Sequence, residues 1–340
     1  MNLILIGTNH RYSDIRTREK LSFSQNDIML ALSSLIEEAI AAGAVILSTC
    51  QRVEIYAQDG DAALVKRFFI RFKEAPASYA KYLYIKEGEE ALRHLFRVAS
   101  GLDSQVVGEA EILGQVREAY LTARSLKAVT PLLGRLFERA IFAGRIIRRS
   151  AAISGPEPSV ASIAVEKCEK LVGLSNRVIF VVGSGVIAAK IAATAARKGA
   201  KCIVVANRTF EKAQELAEQV NGKAVRFEEF YRLLNEADIV FSATASRHLI
   251  LKKDAFLQNR TVKKRLVIFD LAFPRDVDTA IGKMENVSLF NLDDFKEENL
   301  FKDREISRAN ELASEKAKKF LEKEENKWRS GSVQGQALLR

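Results

Sequence analysis

Apolar residues recur along this chain with two different periods, and the switches between them divide it. A run from Asn2 to Gly7 reads as a strand that ends at Thr8-Asn9-His10. Ser24, with Asp27 three residues on, has the form of a helix N-cap. Ile28, Leu32, Leu35, Ile36, Ala39 and Ile40 then share one helical face, which Gly43 stops. Ala44 to Leu47 is a continuous apolar run, whereas Val53, Ile55 and Ala57 alternate with Glu54 and Tyr56. The pattern predicts a buried strand followed by a half-buried one. A helix over 62–72, a strand over 82–85 and a helix over 88–100 complete an α+β unit. Residues 101–115 carry three glycines among small polar side chains and read as a loop, and 117–149 is helical. Between Ser150 and Ser159, Gly155, Pro156 and Pro158 break the pattern, and two of the five prolines of the chain fall there.

Beyond this break the periods alternate. A helix over 160–171 precedes strands over 177–182, 201–206, 238–243, 265–271 and 287–290, with helical stretches between them, as in a doubly wound α/β fold. From Phe295 the chain is rich in Lys and Glu. Ile306, Ala309, Ala313, Ala317 and Phe320 recur at three- and four-residue spacing, which predicts one long amphipathic helix to about Trp328 and a frayed tail. Its apolar stripe needs a partner in another domain or another subunit. The expected organisation is therefore multidomain, α+β and α/β. It has an N-terminal α+β domain over 1–150, a doubly wound Rossmann-type domain over 151–294 and the long helix over 295–340.

Composition narrows the function. With 48% hydrophobic residues in 340, the chain can bury full cores. No apolar run approaches membrane-spanning length and no basic leader precedes the first strand, so a cytoplasmic location is expected, with no membrane partner. Three cysteines (Cys50, Cys168, Cys202) and three scattered histidines (His10, His94, His248) argue against a disulfide framework and against a metal cluster. The net charge of +10 permits an anionic partner. Within 117–149, eight cations, Arg117 to Arg149, face only Glu118 and Glu138, which suits either phosphate binding or a solvated face.

Two stretches carry candidate chemistry. Cys50 lies on the polar turn between the two strands, with Arg52 close by in sequence. An exposed thiol beside a cation has the lowered pKa of a nucleophile; a small residue in a turn is the plainer alternative. His94 is either a packed residue or the base partner of Cys50. The second stretch is Gly183-Ser184-Gly185-Val186-Ile187-Ala188, a G-x-G-x-x-A turn between a strand and an alanine-rich helix. It suits a dinucleotide pyrophosphate. The next strand ends in Asn207-Arg208-Thr209 with no carboxylate for a ribose hydroxyl, so NADPH is the expected cofactor rather than NADH. Thr244-Ala245-Ser246 ends a further strand at the expected crevice, with Thr244 a candidate cofactor contact. Cys168 and Cys202 are assigned to the core.

Together with Gly7-Thr8-Asn9-His10, these stretches resemble the glutamyl-tRNA reductase family. The resemblance rests on Leu47 to Tyr56, on His94 followed by Arg97 to Ser104, on Gly108-Glu109 and Ile112 to Gln115, on the glycine turn, on Ala206 to Thr209 and on Pro274 to Val277. It implies an NADPH-dependent oxidoreductase that reduces glutamyl-tRNA to glutamate-1-semialdehyde, the first step of porphyrin and haem biosynthesis. Cys50 would form a thioester assisted by His94, and Thr49, Gln51, Arg52, Ser104, Glu109, Ala110, Glu111 and Gln115 would contact substrate. It also implies an aminomutase that collects the aldehyde, and a homodimer built on a helical region that this sequence carries in shortened form. The family usually has Asn at the place of Gln51 and Pro-Gln at the place of Ala110-Glu111. A non-catalytic tRNA- or partner-binding paralogue, and a dehydrogenase similar to shikimate dehydrogenase, are the competing readings.

Overall fold

The structure, a computed structural model, describes residues 2–109, 111–150, 159–295 and 303–337, the last segment with side chains to 326. The chain forms two compact units, Met1–Pro158 with Asn299–Arg340, and Ser159–Glu298. The proline-rich break at 151–158 lies outside the described residues.

In the first unit the order is β1 (Leu3–Asn9), α1 (Ile15–Leu21), α2 (Gln25–Glu37), β2 (Gly43–Ser48), β3 (Arg52–Gln58), α3 (Ala62–Phe72), β4 (Tyr84–Glu87), α4 (Gly88–Ala99), α5 (Glu111–Ser125) and α6 (Pro131–Ser150). The four strands form one antiparallel sheet, ordered β2-β3-β1-β4. The Ser24 and Asp27 capping box opens α2 as the sequence predicts. Gly43, however, does not stop that helix. The helix ends at Glu37, Ala39 takes a positive φ of 51°, and Gly43 opens β2. A Cβ on Gly43 would lie 2.8 Å from Thr130 Cγ2, so close packing explains the glycine. The short helix α1 carries too few periodic positions to be read in advance; Asp14 caps it through Thr17 N–H.

The larger departure is β3. Alternation marks it as half-buried, yet every residue from Arg52 to Gln58 is buried, including Arg52 and Glu54 at 0% exposure. It is a central strand, and the face carrying Arg52, Glu54 and Tyr56 is covered by a polar network rather than by water.

The second unit runs α7 (Val160–Val172), β5 (Val178–Val182), α8 (Val186–Arg197), β6 (Cys202–Asn207), α9 (Phe210–Gln219), β7 (Lys223–Arg226), α10 (Phe227–Leu233), β8 (Ile239–Ser242), α11 (Lys253–Asn259), β9 (Leu266–Asp270) and β10 (Val287–Asn291). Its six strands are all parallel, in the order β10-β9-β8-β5-β6-β7. This is the doubly wound order that reverses at β5, where such sheets place their ligand crevice. Cys168 is buried in α7, whereas Cys202 is only half-buried at the start of β6. The edge strand β7, four residues long and largely polar, went unread in the sequence.

The last helix, α12 (Asp303–Ala337), belongs to the first unit rather than standing apart. Ala309, Ala313, Ala317 and Phe320 join that unit's core, so the apolar stripe finds its partner within the chain. Arg97 bonds Asn310 and Arg135 pairs with Glu324 along the same seam. The region beyond 337 lies outside the described residues.

Candidate active site

Cys50 sits on the three-residue connection from β2 to β3. Thr49 holds this turn: its N–H donates to Arg52 O at 2.8 Å, and its hydroxyl accepts from the N–H groups of Gln51 and Arg52, both at 3.2 Å. Neighbouring segments pin the turn's carbonyls. Arg18 Nε donates to Cys50 O at 3.0 Å, and His10 N–H donates to Gln51 O at 2.9 Å. The backbone is fixed, and Cys50 is partly buried.

The electrostatics of the thiol differ from the sequence expectation. Burial pushes Cys50 up to about 12, the charges of Glu109 and Glu111 push in the same direction, and Arg18 and a backbone hydrogen bond pull back. Arg52 is committed elsewhere. Its guanidinium donates to Glu54 Oε1 at 2.8 Å and to Asp103 Oδ2 at 3.1 Å from both terminal nitrogens. Burial works against that charge, but Glu54 and Asp103 hold it firmly in place. His94 likewise faces Glu54, with Nε2 at 2.8 Å from Oε1, and bonds this carboxylate rather than the thiol.

Glu54 is the hub. It also accepts from Tyr84 Oη at 2.5 Å and Tyr56 Oη at 2.7 Å. Burial disfavours its ionised form, yet His94 and Arg52 hold its carboxyl well below the usual carboxylate range. Gly7 makes this possible. In the sheet it is the cross-strand partner of both Glu54 and Tyr84, and a Cβ there would come within 2.8 Å of Glu54 Cγ. A cavity of about 310 Å³ opens on His94 and Asp103, lined also by Arg11, Tyr12, Arg93 and Arg97.

A second cluster forms on the 101–109 loop. Gly101 has φ 74°, and a Cβ there would lie 3.0 Å from Glu109 O. Gln51 Nε2 donates to Glu109 Oε2 at 2.7 Å, while Gln51 Oε1 accepts from Gln105 N–H at 2.6 Å. Burial, aided by Glu111, lifts the Glu109 carboxyl to about 7. Glu111 is exposed at the start of α5, and Gln115 is half-buried on the same helix, not in a loop. Ala110 lies outside the described residues. Among the described residues three buried side-chain polar atoms lack a partner: His10 Nδ1, Arg52 Nε and Ser104 Oγ. All three belong to segments of this site, as expected where a polar ligand completes the hydrogen bonding. His10, Glu54 and Asp103 lay inside the sequence motifs, but spacing alone gave them no role.

In the second unit Gly183 has φ 113°, and a Cβ there would lie 2.4 Å from Ala243 O, so only glycine fits. A Cβ on Gly185 would meet nothing within 4 Å, which leaves the backbone open to a ligand. No side chain caps α8, whose first residue Val186 is exposed. Ile187 is half-buried and Ala188 is buried against the sheet. Asn207 Nδ2 donates to Ser184 Oγ at 2.8 Å and ties the tip of β6 to the turn. Arg208 and Thr209 are exposed beside it. This open turn, with an uncapped helix start and a cation at the tip of β6, fits a phosphorylated dinucleotide. Thr244 turns the other way, donating its hydroxyl to Asp276 Oδ1 at 2.7 Å.

Comparison with known proteins agrees with both halves. Residues 6–151 match the family model for the N-terminal domain of glutamyl-tRNA(Glu) reductase, and residues 163–298 match that for shikimate/quinate 5-dehydrogenase. The glutamyl-tRNA reductase of Pelotomaculum thermopropionicum is 37% identical over 94% of this chain and 75% of its own length. That of Carboxydothermus hydrogenoformans is 40% identical over 86% and 67%. A solved glutamyl-tRNA reductase from Methanopyrus kandleri is 33% identical, with a TM-score of 0.50, over 95% of this chain and 80% of that one. No helix among the described residues is long and apolar enough to cross a membrane. With relatives matched along nearly its whole length and a dehydrogenase-type second unit, the chain belongs to the glutamyl-tRNA reductase family of oxidoreductases.

Proposed function

We propose that this chain catalyses the NADPH-dependent reduction of glutamyl-tRNA to glutamate-1-semialdehyde, the first committed step toward porphyrins, through a thioester on Cys50. The observation that carries this reading is a cysteine on a turn whose carbonyls are pinned by Arg18 and His10, beside segments that hold three buried polar atoms without partners. Cys50 Sγ forms a bond to the ester carbonyl carbon, the bond to the tRNA 3′ oxygen breaks, and free tRNA leaves with a proton. A thiol held near 12 must lose its own proton as that bond forms, and Glu109, lifted to about 7, is suited to accept it near neutral pH. Arg52 Nε and Ser104 Oγ supply hydrogen bonds to the glutamyl group, and Arg11, Arg93 and Arg97 give the neighbouring cavity a positive lining for an anionic substrate. His94 acts through Glu54, which fixes the Arg52 guanidinium. NADPH, when bound, would supply the hydride that takes the acyl carbon to the aldehyde as its bond to Cys50 Sγ breaks and the thiol is regenerated. Gly183, Gly185, Asn207, Arg208 and Thr209 hold and orient that cofactor.

The test is a single turnover with glutamyl-tRNA carrying labelled glutamate, for the wild type and Cys50→Ser, with and without NADPH. Label on wild-type protein without NADPH, and its release as aldehyde on addition, is the expected result; Cys50→Ser gives neither. Bound tRNA with no label and no aldehyde would favour a binding paralogue instead.

A further inference from the structure

The sequence offers Arg208 as the cation for a 2′-phosphate, but a long exposed side chain is a poor selector unless something holds it. Ser246, which closes the Thr244-Ala245-Ser246 stretch at the crevice, is positioned to do so. Arg208 follows β6 and Ser246 follows β8, and in the sheet β5 lies between these strands. The bond from Arg208 Nη2 to Ser246 Oγ, at 2.9 Å, therefore spans the strand end from which the glycine turn leaves.

Ser246 is itself immobilised. It is buried, and its N–H donates to Thr244 Oγ1 at 3.1 Å. Thr244 in turn is anchored on Asp276 through its hydroxyl at 2.7 Å and its N–H at 3.1 Å, and Ser242 donates to the same carboxylate at 2.6 Å. The Ser246 hydroxyl donates its one proton to His248 O at 2.9 Å and accepts from His248 N–H at 3.2 Å. One acceptor site remains, and the Arg208 guanidinium occupies it. The oxygen can therefore face Arg208 only as an acceptor. A single terminal nitrogen of the guanidinium is engaged by this bond, which leaves the other edge of the fork for two phosphate oxygens.

We infer that Ser246 is a positioning residue that holds Arg208 in its phosphate-binding pose and thereby sets the preference for NADP over NAD. The inference rests on the NADPH reading above and adds the residue that makes Arg208 selective. Without the serine hydroxyl, Arg208 keeps its charge but must be ordered anew by each ligand, and the loss falls only on ligands that carry the 2′-phosphate.

The test is equilibrium titration of the full chain with NADP⁺, NAD⁺ and 2′,5′-ADP by calorimetry. The expected result for Ser246→Ala is an about tenfold weaker affinity for NADP⁺ and 2′,5′-ADP, a size set by one hydrogen bond to a charged group. Affinity for NAD⁺ should stay within about twofold, since the lost bond serves only the phosphate. Ser246→Thr keeps the hydroxyl and restores most of the NADP⁺ affinity. Equal loss for NADP⁺ and NAD⁺, unchanged NADP⁺ binding, or tighter NADP⁺ binding in Ser246→Ala would overturn the inference. The last outcome would mean that the serine competes with the phosphate for Arg208. Arg208→Gln separates the two levels. If it leaves the NADP⁺/NAD⁺ ratio unchanged, the phosphate assignment itself fails; if it collapses the ratio while Ser246→Ala does not, only the role of Ser246 fails.

Discussion

Glu54 accepts hydrogen bonds from four side chains, those of Arg52, Tyr56, Tyr84 and His94, and two of these partners carry or can carry charge. Removing its charge leaves Arg52 with one buried counter-charge, Asp103, where it had two. Breaking a buried pair on one side costs about 3–5 kcal/mol, whereas losing one neutral donor costs about 1 kcal/mol. Glu54→Gln should therefore lower the urea midpoint several times more than Tyr84→Phe; equal shifts would show that Glu54 is not the hub. In the second unit a residue acts in the opposite sense. Burial lifts the carboxyl of Asp270 from 3.8 to about 7, although the N–H groups of Ala272, Asp276 and Val277 donate to it. Between those pH values the folded chain binds a proton that the unfolded chain has released. This contribution to stability is present below pH 3.8 and is lost as pH rises through about 7. Thermal unfolding of Asp270→Asn should be less pH-dependent over that window than wild type, beside a general loss of about 1–3 kcal/mol from the mismatched amide. The turn that carries Cys50 and the glycine turn after β5 are legible in the sequence because each is a local device read by its neighbours. The sequence concealed Glu54 and Asp103, whose networks also draw on partners 30 to 94 positions away.

At the scale of elements, period carried far and failed where an element's surroundings break the usual rule. The strand, turn and helix at 178–197 are as the pattern predicts, because a parallel strand buried on both faces has no other reading. β3 misled, because alternation cannot tell a solvated polar face from one buried under ion pairs. For α12 the periodic stripe identified the helix but not its partner. The seam against the first unit is made of small residues, with Ala309, Ala313 and Ala317 at 1% exposure or less. Backbones approach closely there, so packing rather than charge should hold the helix. Ala313→Asp would bury an unpaired carboxylate and should cost at least about 3 kcal/mol in urea unfolding. Glu324→Gln removes the charge that pairs with Arg135, a residue 44% exposed, and should cost about 1 kcal/mol or less. The reverse ranking would mean that the salt bridges, and not the alanine seam, dock α12.

For the whole molecule, the net charge of +10 is not spread evenly, and a salt series separates the two readings that the sequence left open for 117–149. Arg135, Arg139, Arg145 and Arg149 are exposed, and at 100° per residue they fall within one 120° sector of α6 together with the exposed Phe142 and a single acid, Glu138. Arg139 lies over the Phe142 ring, 5.6 Å from its centroid. A face that were merely solvated would have little reason to present a half-exposed phenylalanine flanked by guanidiniums. Stacking beside cations is instead how single-stranded bases and their phosphates are held. If this face meets the phosphates of the proposed tRNA substrate, each cation that neutralises one releases condensed counterions. The slope of log affinity against log salt then falls by roughly 0.7–0.9 for each such contact. Replacing Arg139 and Arg145 by Gln should thus weaken tRNA binding at fixed salt and flatten the salt slope by about 1.5, close to two contacts' worth. NADP⁺ affinity in the other unit should stay unchanged, since those residues belong to the first. Filter binding of tRNA across a salt series measures both quantities. An unchanged slope in the double variant would return α6 to the plainer reading of a solvated helix and would place the excess charge that meets tRNA elsewhere on the surface.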